Sequence, residues 1–406
     1  MGLPVSSTHP FSLHVLLTMS DLLKTIAAGP SDGHPPFKRP PPPLPSPTLL
    51  REEDEEASED SSSASSMSST GTIVPSFPFQ RRKRPPSSWH EYFEQELYLD
   101  HVDGNLLAKY HAYLTVPTDP TKDPLFVCHH GAGSSGLSFA LLARELRKKM
   151  PNCGILSVDA RDHGSMVDVS SSEHLTGLSL NALSYDLLQI IRLTIARLAW
   201  PHTPNMVLIG HSLGGAVVAR TARDGALESK LLGFVVIDVV EGSAMDALKS
   251  MQSYLATRPV SFASVEDAID WHVRSRTIRN PESSRVSTPP LLKQLDSEQW
   301  TWRIDLAATA AYWTNWFTGL SSSFLGGKAA KLLILAGTDR LDKELMIGQM
   351  QGKFQLQVFP EAGHFVQEDL PERTAEVLVE FVRRNDRSAM VLPPKVSDLL
   401  AQGKKV

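Results

Sequence analysis

Residues 205–221, NMVLIGHSLGGAVVART, decide the fold. The opening run Met206-Val207-Leu208-Ile209 is uninterrupted and apolar, which predicts a strand buried on both faces. Gly210-His211-Ser212-Leu213-Gly214 then follows the spacing G-x-S-x-G, and the small residues from Gly215 onward predict a helix. A serine on so sharp a strand-to-helix turn sits in a strained backbone conformation, and bulk on either side of it would clash. Hence glycine at 210 and 214. Such a turn holds Ser212 Oγ above the sheet, beside a helix N-terminus whose backbone N–H groups can receive an oxyanion. Ser212 is the candidate nucleophile.

Outward from that turn, buried strands and amphipathic helices alternate. Upstream, residues 125–128 and 154–159 read as buried strands and residues 138–149 and 180–198 as amphipathic helices. Residues 93–98 and 106–114 read as an opening strand pair that turns at Asp103-Gly104. Downstream, residues 232–237, 331–336 and 354–359 continue the strands, and residues 371–384 close the pattern with a helix. The alternation predicts an α/β fold, a mostly parallel central sheet with helices on both faces. Between residues 243 and 325 the rhythm breaks and reads as mainly helical, at 245–256, 265–279 and 304–317. An inserted helical block on such a sheet is most simply a cap over the site.

A serine hydroxyl is a poor nucleophile at neutral pH and needs an adjacent base. His364, in Ala362-Gly363-His364, lies between the last strand and the closing helix and is the best candidate. An aspartate between the two in the chain completes the order Ser…Asp…His of an α/β-hydrolase. Asp238 and Asp339 both follow strands at the edge where ligands and catalytic groups collect, so position leaves both open. Asp238 sits among Ile237, Val239 and Val240, where a charge wants a partner; Asp339 sits among Arg340, Asp342 and Lys343, which suits surface ion pairing. His211 reads as a packing residue pointing away from the turn, His163 as turn structure, and His129 and His130 as shaping the loop after their strand. The oxyanion donors are expected to be the N–H of Leu213 and, from His130-Gly131-Ala132-Gly133, that of Ala132. A phosphate cradle is excluded there, because neither G-x-x-x-x-G-K-[ST] nor a dinucleotide fingerprint is present.

Longer strings are more specific than the serine turn. LGFVVIDVVEGSAMDAL at 232–248 and LDKELMIGQMQGKF at 341–354, with residues 252–259, 275–280, 300–306 and 312–320, closely resemble the protein phosphatase methylesterases. The resemblance runs over about residues 89–384. It implies an α/β-hydrolase that removes the methyl ester from the C-terminal leucine of the type 2A protein phosphatase catalytic subunit. That subunit would be both substrate and partner, and the esterase would have no cofactor and no metal site of its own. Carried over by motif, the implied catalytic residues are Ser212, Asp238 in VVIDVVEG and His364 in AGH, which gives the acid's role to Asp238. The resemblance also implies a triad that aligns on substrate binding. One departure is the oxyanion loop, commonly HGGG in the family and HGAG here, with Ala132 in place of a glycine. Two other readings of the residues are an esterase of small acyl esters and a phosphatase-binding regulator with an incidental hydrolase site.

Composition bounds the rest. The 406 residues, 41% of them hydrophobic, suit one large α/β domain over residues 87–385 with non-globular ends. A net charge of −5 argues against a general nucleic-acid binder. Two cysteines make no disulfide framework and lack zinc-ligand spacing, which points to a reducing compartment, cytoplasmic or nuclear. No run of about twenty apolar residues predicts a membrane span. Residues 1–86 combine a proline-rich, an acidic and a serine-rich tract and are expected to be disordered, with a brief apolar piece at 21–28 that could form a docking turn. Gly2 and Ser6 fit the loose myristoylation pattern, and RRKR at 81–84 suits either nuclear import or a solvated charge run. Residues 386–406 read as a flexible tail.

Overall fold

The structure, a computed structural model, describes residues 84–169, 175, 177–295, 298–337 and 341–386. Expectations for residues 1–83 and 387–406, and for Asp339, lie outside the described residues. The chain opens with a hairpin, β1 (Gln95–Asp103) and β2 (Leu106–Thr115), and continues through β3 (Leu125–His129), β4 (Gly154–Asp159) and the short β5 (Met166–Val169). β6 (Met206–His211) and β7 (Leu231–Ile237) flank the helix Leu213–Asp224. An inserted segment carries β8 (Ser261–Phe262), β9 (Leu292–Gln294) and β10 (Trp300–Trp302), after which β11 (Ala330–Ala336) and β12 (Gln355–Phe359) complete the main sheet. Its order is β1-β2-β4-β3-β6-β7-β11-β12, with β5 added on β2. From β4 onward along this path every pairing is parallel, while β1, β2 and β5 pair antiparallel.

The two faces of the sheet are filled with period two. Along β6, Met206 and Leu208 belong to one core with Leu183 and Leu187 of the helix Leu180–Arg197 and Val217 of the helix Leu213–Asp224. Val207 and Ile209 belong to the other, with Leu142 of the helix Ala140–Lys149 and Leu378 of the helix Pro371–Asn385. All six β6 residues are buried, as a continuous apolar run requires when helices cover both faces. Parallel pairing brings the C-terminal ends of β3, β6, β7, β11 and β12 to one edge of the sheet, and the loops leaving that edge build the site.

The segment between β7 and β11 is mainly helical, as read from the sequence, but also carries short strands which that reading lacks. Its helices Glu241–Ala256, Val265–Arg274, Pro281–Ser287, Ala310–Phe317 and Leu320–Gly326 are joined by a separate antiparallel sheet of order β8-β10-β9. Trp300 pairs with Phe262 on one side and Gln294 on the other. Aromatic packing holds this small sheet together: Trp302 lies edge-on to Phe262 at 5.3 Å and to Trp271 at 5.8 Å. The helix expected over 265–279 stops at Arg274, because Arg276 takes a positive φ and Asn280 then caps the next helix, with Pro281 at its first position. Among the described residues no helix is long and apolar enough to cross a membrane.

Candidate active site

Ser212 follows β6 and precedes the helix Leu213–Asp224 with φ 51° and ψ −119°, a strained conformation for a residue with a side chain. Its N–H donates to the Ile237 carbonyl at 2.9 Å, and its own carbonyl receives the Gly215 N–H at 2.8 Å. Glycine is required on both sides. A Cβ at Gly210 would strike the Gly214 carbonyl, and one at Gly214 would strike the His129 carbonyl.

Asp238 follows β7, also at positive φ. Its N–H donates to the Ile334 carbonyl of β11 at 2.7 Å, and its Oδ1 receives the Ala336 N–H at 2.7 Å. Oδ2, the remaining carboxylate oxygen, lies 2.7 Å from His364 Nδ1. This side chain is buried, and each of its carboxylate oxygens has a hydrogen-bond partner. The structure thus brings Asp238 to His364.

His364 stands on the loop after β12, which is clamped from two sides. Asp369 accepts the Gly363 N–H and the Arg279 N–H, each at 2.7 Å, and Arg279 Nη1 donates to the Glu361 carbonyl at 2.6 Å. His364 and Ser212 face one cavity, and no hydrogen bond joins the imidazole to Oγ. His211, read from the sequence as pointing away, instead lines that cavity with its ring 4.6 Å from that of His364. Its Nε2 lies 2.9 Å from the His364 carbonyl, which can only accept, so Nε2 carries the proton. Burial, and then the neighbouring His364, hold the His211 pKa well below its ordinary value. The sequence does not show this, because the partner of His211 is the His364 carbonyl, 153 residues later.

The loop after β3 is ordered by histidines. His129 Nδ1 donates to the His130 carbonyl and His130 Nδ1 to the Gly131 carbonyl, while His130 Nε2 accepts the Ala160 N–H at 3.0 Å. His163, expected only to shape its own turn, reaches across: Nδ1 donates to the Arg161 carbonyl and Nε2 accepts the Gly133 N–H at 2.9 Å. Burial lowers the pKa of all three, to about 4 for His129, so each is a neutral ring with a fixed tautomer. Gly133 has φ +70°, and a Cβ there would lie 2.7 Å from Leu306 Cδ1. Gly131 lies against Ser212. The N–H groups of Ala132 and Leu213 have no partner among the described residues; Leu213 opens the helix after Ser212, and Ala132 lines the cavity that Ser212 faces.

The cavity over Ser212 measures about 130 Å³. Its floor is the loop 131–134 with Ser212 and His364, and its far wall comes from the inserted segment, including Leu248, Leu255, Leu306, Trp313 and Phe317. A hydroxyl at a helix N-terminus, an imidazole backed by a carboxylate, two unpaired N–H groups and an apolar wall are the parts an acyl-transfer site needs.

Residues 126–377 match the α/β-hydrolase family. The chain is 52% identical over 394 residues to protein phosphatase methylesterase 1 of Neurospora crassa, covering 84% of this chain and 86% of that protein. It is 56% identical over 343 residues to protein phosphatase methylesterase 1 of Emericella nidulans, covering 81% and 84%. The crystal structure of E-2-(acetamidomethylene)succinate hydrolase superposes with a TM-score of 0.55 at 21% identity, over 71% of this chain and all of that one, a likeness of fold alone. The chain is therefore a carboxylic ester hydrolase that belongs to the protein phosphatase methylesterase family of α/β-hydrolases.

Proposed function

We propose that this enzyme demethylates the C-terminal leucine methyl ester of the type 2A protein phosphatase catalytic subunit, through an acyl-enzyme on Ser212. The observation that carries the reading is the Asp238–His364 pair facing Ser212 in an apolar cavity, in a chain more than half identical to proteins named protein phosphatase methylesterase 1. His364 Nε2 takes the Ser212 proton as Oγ attacks the ester carbonyl carbon, and Asp238 holds the imidazole with its proton on Nδ1. The N–H groups of Leu213 and Ala132 receive the oxyanion, each contributing roughly 3 kcal/mol to the transition state. Collapse expels methoxide, which leaves as methanol with the proton from Nε2. Water, deprotonated by the same nitrogen, then attacks the acyl-enzyme and frees the carboxylate. The hydrogen bond between Ser212 and His364 forms as substrate enters, as such bonds often tighten only in the complex.

Methanol release from a peptide ending in leucine methyl ester, compared with hydrolysis of an aryl acetate, tests this. The peptide ester is expected to have the higher kcat/KM. Aryl acetate turnover with an intact peptide ester would favour an esterase of small acyl esters. Tight binding of the methylated phosphatase without methanol release would favour a binding regulator.

A further inference from the structure

Arg258 is a cation with no anion beside it. Half-buried, it stacks its guanidinium 3.7 Å above the Trp302 ring, and among the described residues no acceptor takes a hydrogen bond from its side chain. It lines the cavity that holds Ser212 and His364, and also the narrower cleft beside it formed with Gly133, Ser134 and Arg303. The rest of the cavity wall offers no counter-charge. Glu368 lines it too, but its carboxyl oxygens receive the Ser138 and Ser287 hydroxyls, each at 2.6 Å, and burial pushes its pKa up to about 8. His272 in the same wall is held to about 4 by burial and is neutral at pH 7. Burial works against the Arg258 charge as well, yet a guanidinium stays protonated in proteins. Aliphatic and aromatic side chains supply most of the remaining wall. A charge left unpaired in such a wall is costly, and it is retained where a ligand brings the partner.

We propose that Arg258 is the carboxylate-binding residue of this cavity, receiving an anionic group of the peptide whose ester is cleaved. The planar guanidinium matches a carboxylate with two parallel N–H···O bonds, and the Trp302 face holds it in the orientation to do so. This rests on the methylesterase reading for the source of carboxylate. Cleavage turns a neutral ester into a C-terminal carboxylate, and a peptide substrate can also bring an acidic side chain. Either source presents the same two oxygens.

Calorimetric binding to the full chain separates them, using three short peptides of otherwise neutral sequence. One ends in a free carboxylate, one ends in an amide and carries a single glutamate, and one ends in an amide with no acid. At least one acidic peptide is expected to bind tenfold or more tightly than the neutral one, and which of them does names the source. Arg258→Gln is expected to bring that preference to within about twofold, and Arg258→Lys, which keeps the charge but loses the fork, to an intermediate value. If Arg258→Gln does not fold, Arg258→Met keeps the apolar stem against Trp302 and takes its place. Equal binding of all three peptides, or a preference that survives the neutral variants, overturns the proposal. Because binding is read without turnover, failure of the methylesterase reading is seen separately, as no methanol from the peptide ester.

Discussion

The wall of the cavity that carries Ser212, Asp238 and His364 hangs from backbone hydrogen bonds, whereas the wall from residues 241–326 is held by side-chain packing. Ser212 is pinned by its N–H to Ile237, Asp238 by its N–H to Ile334 and its Oδ1 to Ala336, and the His364 loop by Gly363 on Asp369. On the facing side, Trp316 Nε1 reaches the Leu178 carbonyl at 2.6 Å, Trp313 Nε1 reaches Thr309 Oγ1 at 2.9 Å, and aromatic rings do the rest. Groups that react must be held to fractions of an ångström, and ladder-anchored backbone does that whatever the neighbouring side chains are. A wall of packed side chains can instead change its shape by substitution while the sheet stays put. On the proposed function, chemistry belongs to the first wall and selection to the second.

The largest effect expected on the backbone-anchored wall is that of Ser212→Ala. Turnover should fall on the order of a million-fold. Peptide binding, measured by calorimetry, should persist because the facing wall is intact. A variant retaining a few per cent of wild-type activity would remove Ser212 from the chemistry.

Asp238→Asn comes next. The Ala336 N–H can still be accepted at Oδ1, so the fold should hold, but the amide favours the wrong imidazole tautomer. The same change in a serine protease costs roughly ten-thousand-fold in turnover. Asp339→Asn, set beside it on one substrate, should cost far less, since His364 Nδ1 already has Asp238 as its carboxylate partner. The reverse ranking would shift the acid's role off β7.

His163→Leu probes the oxyanion loop from a distance. It leaves the Gly133 N–H without its acceptor, which costs about 1–3 kcal/mol of stability. Displacement of the neighbouring Ala132 N–H is expected to lower kcat roughly ten- to hundredfold, with KM moving less. Equal losses in kcat/KM and stability with kcat untouched would make His163 a fold residue only.

The smallest effect is on stability alone and belongs where the two walls meet. Burial raises the Glu368 carboxyl from its ordinary 4.5 to about 8. The folded chain therefore keeps a proton that the unfolded chain releases. The stabilising contribution of this group is complete below about pH 4.5 and is lost as the pH climbs towards 8. Glu368→Gln stays neutral throughout. Urea unfolding at a series of pH values should find the variant gaining on wild type by up to a few kcal/mol over that window. Parallel curves would mean that Glu368 is ionised in place.

The anchored wall was also the legible one, up to a point. The serine turn could be read because its constraints are local: four apolar residues, two glycines that a Cβ would break, and a helix start lie within one short stretch. The buried strands were visible as apolar runs for the same reason. The choice between Asp238 and Asp339 was not legible from spacing. It depends on the register of β7 against β11 and on where a loop some 126 residues later places His364. The apolar neighbours of Asp238 leaned towards it, and the longer strings that resemble a family decided for it. His163 escaped because its partner Gly133 is 30 residues away, and His211 because its partner, the His364 carbonyl, is 153 residues away. The small sheet β8-β10-β9 was unreadable: strands of two and three residues carry no period, and Trp300 finds Phe262 only in the fold.

The most direct measurement is labelling of the full chain with a fluorophosphonate, followed by peptide mapping, in wild type, Ser212→Ala and Asp238→Asn. One label is expected in wild type, on the peptide containing Ser212. None is expected in Ser212→Ala, and labelling should be slowed by orders of magnitude in Asp238→Asn. A label on any other residue, or equal labelling rates in wild type and Asp238→Asn, would contradict an activated Ser212 backed by His364 and Asp238.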